Sequence, residues 1–358
     1  MLITIASAVL VLGVLVFVHE LGHFLVAKRL GVGVSVFSLG FGPRLAGFKR
    51  GETDYRLSAI PLGGFVRMIG ESPGEPVAPE DLPRSFSHKG VWRRMAIVAA
   101  GPLSNVLFAF LLYYAVTLFW GQPMLTAQVG SLVDGMPAQA AGLRPGDVIS
   151  AVDGRAIASW DDLREAIRAS QGRRLMLTAQ RDGQALELAM SPKRVDTKDI
   201  FGDVITVYQV GVAPSGQVLT QSFGPLEAVG RALGQTIEAS QLILVSVGKI
   251  ATRQVPMESV GGPIFIAQVA GEAARHGLNA LLGLAALISV NLAILNLLPI
   301  PALDGGHLLV FLFEAVTRRP VSTRVRERIQ QAGVFCLLLL TVLVLYNDIA
   351  RIFGQTGP

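Results

Sequence analysis

Four stretches of this chain run free of charge for long enough to cross a lipid bilayer, which takes about 20 apolar residues: residues 1–18, 95–120, 278–303 and 329–347. A chain built this way must satisfy its own backbone wherever it meets lipid, which restricts the spans to helices. Charged residues make up 16% of the whole, against about 25% in an average soluble domain. That deficit excludes a disordered chain and an ordinary soluble enzyme. Residues 1–18 lack a basic leading segment and a small-residue cleavage site, so they read as a retained span and not as a signal peptide. The single cysteine, Cys336, rules out an internal disulfide.

Basic residues flank the spans, and their bias sets an expected orientation. Residues 28–94 hold eleven Lys/Arg against six Asp/Glu, and residues 305–331 hold five Arg against two Glu. Both segments are expected on the cytoplasmic side. Residues 121–277 hold fourteen Lys/Arg against fifteen Asp/Glu and are expected outside, with both termini. The net charge of +5 is then a positive-inside signature. The basic residues show no aromatic interleaving, so the expected partner is the lipid bilayer and not nucleic acid.

Between the first two spans, Val32, Val34, Val36 and Leu39 alternate ahead of Gly40-Phe41-Gly42-Pro43; Tyr55-Arg56-Leu57 and Phe65-Val66-Arg67-Met68 follow. This pattern predicts short strands broken by glycine, with a tight turn at Gly63-Gly64. They form either a small cytoplasmic hairpin or a sheet dipping toward the membrane to present a strand edge, whose backbone protein or water must satisfy. Residues 71–83, four prolines among acidic residues, read as a mobile loop.

Residues 126–192 read as a compact unit of strands and helices. A strand starts at Ala127, a short helix runs from Pro137 to a stop near Gly142, and a strand covers 148–152 before a hairpin turn at Asp153-Gly154. Ser159 caps a helix over 161–169 with Asp162 in the capping-box position, and strands over 175–180 and 185–190 are joined by Asp182-Gly183. Residues 223–275 read as amphipathic helices. The apolar run 239–247 is too short to cross and is expected to lie on the outer membrane surface.

The chemistry is concentrated in His19-Glu20-Leu21-Gly22-His23. Composition alone would produce an H-E-x-x-H pattern about 0.003 times in a chain of this length. At 100° per residue, positions 19 and 23 share one helix face, where two imidazoles can bind one tetrahedral zinc ion. Glu20 falls beside the metal and not on it, as a general base needs. Three ionisable groups at the end of an apolar helix are costly without such a role. A catalytic zinc takes a third protein ligand. His88 and His276 lie in loops on opposite sides, with His276 on the wrong side of the membrane. Asp304 closes the third span behind Pro299 and Pro301, which bend the chain, and its depth matches that of His19 and His23. His307, three residues on, remains the rival ligand.

H-E-x-x-H in a first span with Asn296-Leu297-Leu298-Pro299-Ile300-Pro301-Ala302-Leu303-Asp304-Gly305 in a third resembles the site-2 protease family of intramembrane zinc metalloproteases. Gly101-Pro102-Leu103-Ser104-Asn105 looks like the glycine-and-asparagine segment of that family's second span. The 126–192 unit, with its A-x-x-A-G-L-x-x-G-D-x-I run, resembles a PDZ domain. Four spans with one PDZ insertion are similar to the bacterial regulator-of-sigma-E type, whose best-known members carry two such domains.

The resemblance implies Zn2+ held by His19, His23 and Asp304, with Glu20 as catalytic base and Asn296 holding substrate backbone. Asn105 has a similar or a packing role. The strands between Val34 and Met68 resemble the family's membrane-reentrant sheet, which would pair with substrate.

The expected fold is therefore a polytopic α-helical membrane protein of the bacterial inner membrane, with four transmembrane helices, a cytoplasmic membrane-reentrant β-sheet and an extracytoplasmic α+β PDZ domain. Its parts are the spans 1–27, 95–120, 278–304 and 329–350, cytoplasmic loops 28–94 and 305–328, the PDZ domain 126–192 and a linker 193–277. The expected activity is hydrolysis of peptide bonds in single-span membrane proteins, such as anti-sigma factors or remnant signal peptides. The PDZ unit is either a strand-addition peptide site or a rigid spacer and size filter. Two other classes remain in view: a membrane-anchored PDZ adaptor with a non-catalytic metal site, and a transporter, against which the absence of repeat symmetry counts.

Overall fold

The computed structural model describes residues 2–72, 76–199, 201–256 and 260–354. The chain begins with α1 (Leu2–Arg29), β1 (Val34–Arg50), β2 (Thr53–Met68) and α2 (Val91–Trp120). Next come β3 (Gln122–Leu125), β4 (Val129–Leu132), α3 (Pro137–Ala140), β5 (Val148–Val152), β6 (Arg155–Ala156) and α4 (Trp160–Ala169). They are followed by β7 (Leu175–Arg181), β8 (Gln184–Met190), β9 (Lys193–Lys198), β10 (Val204–Gln209), β11 (Val212–Pro214) and β12 (Val218–Gln221). The chain ends with α5 (Pro225–Ala251), α6 (Pro263–His276), α7 (Leu278–Leu297), α8 (Asp304–Thr317) and α9 (Thr323–Gly354). Two compact units result, one of Met1–Val116 with Pro225–Pro358 and one of Thr117–Gly224.

In the first unit, α1, α2, α7 and α9 are long and apolar enough to cross a membrane. These are the four spans expected from the sequence. The third differs at its end. α7 stops at Leu297, residues 298–303 leave the helix, and Asp304 opens α8 and does not close the span. Pro299 and Pro301 supply no backbone donors, and the break is satisfied locally by bonds such as Ile300 N to Leu298 O and Leu303 N to Ile300 O. The segment expected as the loop 305–328 is accordingly mostly helix, 305–317 in α8 and 323–328 in α9. In α5, Ala239 and Ile243 are buried with Ala109, Ala286, Val290 and Ile294 against α2 and α7, while Leu242, Leu244 and Val245 are exposed.

The strands after α1 are two long ones that turn at Gly51-Glu52, while Gly63 and Gly64 lie inside β2. Irregular register folds this pair into four side-by-side segments. Residues 36–39 face 64–67 on one side (Val36 opposite Arg67, Leu39 opposite Gly64) and 54–57 on the other (Val36 opposite Asp54, Leu39 opposite Leu57). Residues 54–57 in turn face 46–49. The half nearest α1 is buried: Val34, Phe37, Val66 and Met68 pack with Ala27, Ile97, Val98 and Phe311. The far half, with Phe41, Leu45 and Phe48, is exposed. Of the proline-rich segment, residues 73–75 lie outside the described residues, and Pro79–Arg84 forms a 3-10 helix where a loop was expected.

The second unit is larger than residues 126–192. Its four-stranded sheet runs β6-β5-β7-β8, and the Ser159–Asp162 capping box is present. Asp153-Gly154 and Asp182-Gly183 all have positive φ, as a two-residue hairpin turn requires. β11 pairs with β4, and Val210 joins the same core as Trp160, Leu163 and Leu177. Residues read as linker thus complete the unit. A groove of about 480 Å³ runs between α4 and residues 205–212.

Asp147 is buried and accepts from Arg181 at 2.7 and 2.8 Å and from the Arg144 backbone N–H at 2.8 Å. Arg181 holds its carboxyl below the usual carboxylate range, outweighing the opposing push of burial. A depressed folded pKa gives stability that is present above the unfolded value of about 3.9 and lost as pH falls through the folded one. Arg181→Ala is therefore expected to lower the unfolding temperature of this unit at pH 7. The gap from the parent should shrink below about pH 4, as followed by Trp160 fluorescence in a Trp92→Phe, Trp120→Phe background.

Candidate metal centre

α1 places His19 and His23 one turn apart on the face that packs against α2, and both are buried. Each ring is oriented through its Nδ1. His23 Nδ1 donates to the Ile97 carbonyl at 2.9 Å, which leaves the lone pair of the neutral ring on Nε2. His19 Nδ1 lies 3.3 Å from the Asn105 amide nitrogen, while the Asn105 amide oxygen is buried without a partner. An Asn amide is nearly isosteric with its own flip, so hydrogen bonding decides its orientation. Flipped, the orphaned oxygen accepts from His19 Nδ1–H and the His19 lone pair also falls on Nε2. This is the outer-shell arrangement that metal-binding imidazoles adopt.

The two Nε2 atoms are 3.2 Å apart. Asp304 Oδ2 is 3.1 Å from His19 Nε2, and Oδ1 is 3.6 Å from His23 Nε2. Three such groups at these distances share protons or take a cation among them. A tetrahedral zinc with bonds near 2.05 Å needs ligand atoms about 3.3 Å apart, and the observed spacings bracket that value. Gly101 of α2 completes the cradle, because a Cβ there would run into His23 Nε2 and His19 Cε1. The residues present thus fit a zinc ion.

Asp304 reaches the histidines because residues 298–303 turn back and deliver it in the first turn of α8, where a carboxylate is favoured by the helix dipole. Among the described residues, His19, His23 and Asp304 are the group whose donor atoms lie within 4.8 Å of one another. The rival His307 is not in that group; its ring sits 6.4 Å from Phe311. His88 is bonded to Ser85 and Ser87, and His276 to Glu272.

Glu20 lies beside Gly64 of β2 and borders two cavities. One, of about 240 Å³, is lined by Val16, Phe41, Gly63, Gly64, Leu292 and Asn296 together with His19 and Asp304. The other, of about 350 Å³, adds Glu71, Ser72, His307, Arg326 and Gln330 around the same cluster. Sequence reasoning found Asn296, which lines the first cavity. It missed Glu71, Ser72, Arg326 and Gln330 of the second cavity, which come from distant segments with no motif among them. Asn105 is fully buried and lines neither cavity. In this structure it lies against His19 Nδ1.

The sequence profile of peptidase family M50 matches residues 7–340. A Campylobacter jejuni relative, provisionally named a zinc metalloprotease, is 37% identical over 350 residues, covering 98% of this chain and 94% of its own. The regulator of sigma-W protease RasP of Bacillus subtilis is 29% identical over 426 residues, covering 98% of this chain and 99% of its own. Among solved structures, the PDZ domain of an SdrC-like protein of Listeria monocytogenes aligns with 24% of this chain and 84% of its own at 22% identity, with a TM-score of 0.20.

Asn105→Leu is expected to weaken zinc binding about 10–100-fold, measured by competition with a chelator. A raised KM for substrate with unchanged zinc affinity would instead return Asn105 to a substrate-contacting role.

Proposed function

The chain belongs to peptidase family M50, the site-2 protease family of zinc metalloproteases, and from that premise we propose that it cuts single-span membrane proteins within their transmembrane segments. The observation that carries this reading is the meeting of His19, His23 and Asp304 beside Glu20, between two cavities. Anti-sigma factors and remnant signal peptides are the proposed substrates, in keeping with the name of the Bacillus subtilis relative. The charge bias supports an inner-membrane orientation with residues 28–94 and 305–331 in the cytoplasm and both termini and the PDZ-like unit outside.

His19, His23 and Asp304 would hold the zinc. When bound, the ion supplies Lewis-acid polarisation of the scissile carbonyl and lowers the pKa of water toward about 7. Glu20 takes the proton of the attacking water and passes it to the leaving amine, a role worth about 10²–10⁴-fold. The Asn296 amide hydrogen-bonds substrate backbone in the smaller cavity. A substrate helix must unwind first, because its carbonyls are engaged in i to i−4 bonds. The strand segment at Gly63-Gly64, beside Glu20, offers replacement bonds by strand addition. The groove along α4 supports a strand-addition role for the second unit.

Glu20→Gln is expected to keep zinc and lose cleavage of a single-span reporter by at least about 10²-fold, whereas His23→Ala and Asp304→Ala lose both. An adaptor with a structural metal would be indifferent to Glu20→Gln. Reporters with Gly or Asn near the cut are expected to be cleaved faster than Leu-rich ones; equal rates would remove the unwinding step.

A further inference from the structure

α9 is the least packed of the four long helices: 6% of its apolar window is buried, against 28–39% in the others. Phe335, Leu338, Leu339 and Val342 are exposed. Against that background its few close contacts are informative. Arg326, Gln330 and Gly333 follow one another at i, i+4 and i+7 and so share one helix face. Arg326 and Gln330 wall the larger cavity at the metal cluster. Gly333 lies so close to Pro301 that a Cβ there would overlap the Pro301 carbonyl carbon and oxygen. Pro301 belongs to the short break that ends in Asp304.

A second contact ties the same face of α9 to α8. Glu314, buried ten residues beyond Asp304 on α8, accepts from Arg326 Nη2 at 2.7 Å and from Arg94 Nη2 at 2.8 Å. It also accepts from the Val321 N–H at 3.0 Å. Both guanidinium groups lie over the Phe311 ring, at 4.6 and 5.8 Å from its centroid. Arg94 starts the α2 stretch that carries Ile97, Gly101 and Asn105. One carboxylate therefore joins the three helices α2, α8 and α9, and removing its charge leaves two partly buried cations short of a partner. At the other end of α9, Asp348 accepts from the backbone N–H groups of Gly262, Ile264 and Phe265 at the start of α6. That attachment is about 22 Å along the helix from Gly333.

We propose that the first turns of α9 brace the metal centre, with Gly333 and the Glu314 clamp as positioning residues that hold the 298–303 break so that Asp304 meets the two histidines. The brace rests on the zinc reading of the cluster. A side chain at position 333 pushes the break or α9 outward, and Asp304, three residues from Pro301, leaves its place. Loss of the Glu314 clamp lets α8 and α9 drift apart with the same result.

The test is zinc affinity by chelator competition on the purified full chain, beside its melting temperature in detergent. Gly333→Ala and Glu314→Gln are expected to weaken zinc binding about 10-fold or more, and in each the kcat for reporter cleavage falls while KM holds. Asp348→Ala, which frees the far end of α9, should lower the melting temperature with zinc affinity within about twofold of the parent. If Gly333→Ala does not accumulate, Glu314→Gln carries the test alone, since it adds no volume. Zinc affinity unchanged in Gly333→Ala and Glu314→Gln, or falling in step with melting temperature across all three variants, overturns the brace. A parent chain that binds no zinc overturns the metal reading itself.

Discussion

Two imidazole nitrogens and a carboxylate gathered within a few ångströms need a shared proton or a bound cation among them, and the surrounding structure holds them there. His23 is fixed by the Ile97 carbonyl and His19 by the Asn105 amide. Asp304 is fixed by the break between α7 and α8. Such a cluster costs free energy until a proton or a cation enters. The close approach of Gly101 leaves the space where that cation belongs. The remaining features near the site serve this one constraint: they orient a ligand, hold Glu20 beside it, or wall the cavities on either side.

Non-helical backbone is expensive near lipid, yet the centre depends on two pieces of it. The 298–303 break satisfies itself by short-range bonds and is backed by α9 at Gly333. The β1–β2 sheet buries one half against α1, α2 and α8 and pairs its own segments on both sides. Each irregular piece brings a chemically useful group to the chamber, the carboxylate of Asp304 from one and the strand backbone beside Glu20 from the other. The Thr117–Gly224 unit, by contrast, has its own apolar core around Leu163, Leu177 and Val210 and its own buried ion pair at Asp147.

Local signals were read correctly. The four spans, the Ser159–Asp162 cap, the two Asp-Gly hairpin turns and the H-E-x-x-H face all depend on residues within a few positions of one another. Their physics is carried by helix periodicity, capping bonds and turn geometry. Gly63-Gly64 was misplaced as a turn because glycine marks a close approach as readily as a reversal, and here Gly64 sits against Glu20 and Val16 inside a strand. The end of the second unit was missed because β11 completes it by pairing with β4, some eighty residues earlier in the chain.

The sequence by itself determined four apolar helices long enough to cross a membrane, a first helix with two imidazoles on one face beside a carboxylate, and a distal proline-broken segment that offers Asp304 and His307 as competing partners for them. Only the tertiary structure decided between those two, because they are three residues apart and equal in depth, and the choice turns on which side chain the folded break aims at the histidines. Tertiary structure also placed Asn105 against His19 and Gly333 of α9 against Pro301. Those contacts join residues 86 and 32 positions apart, which no local pattern encodes.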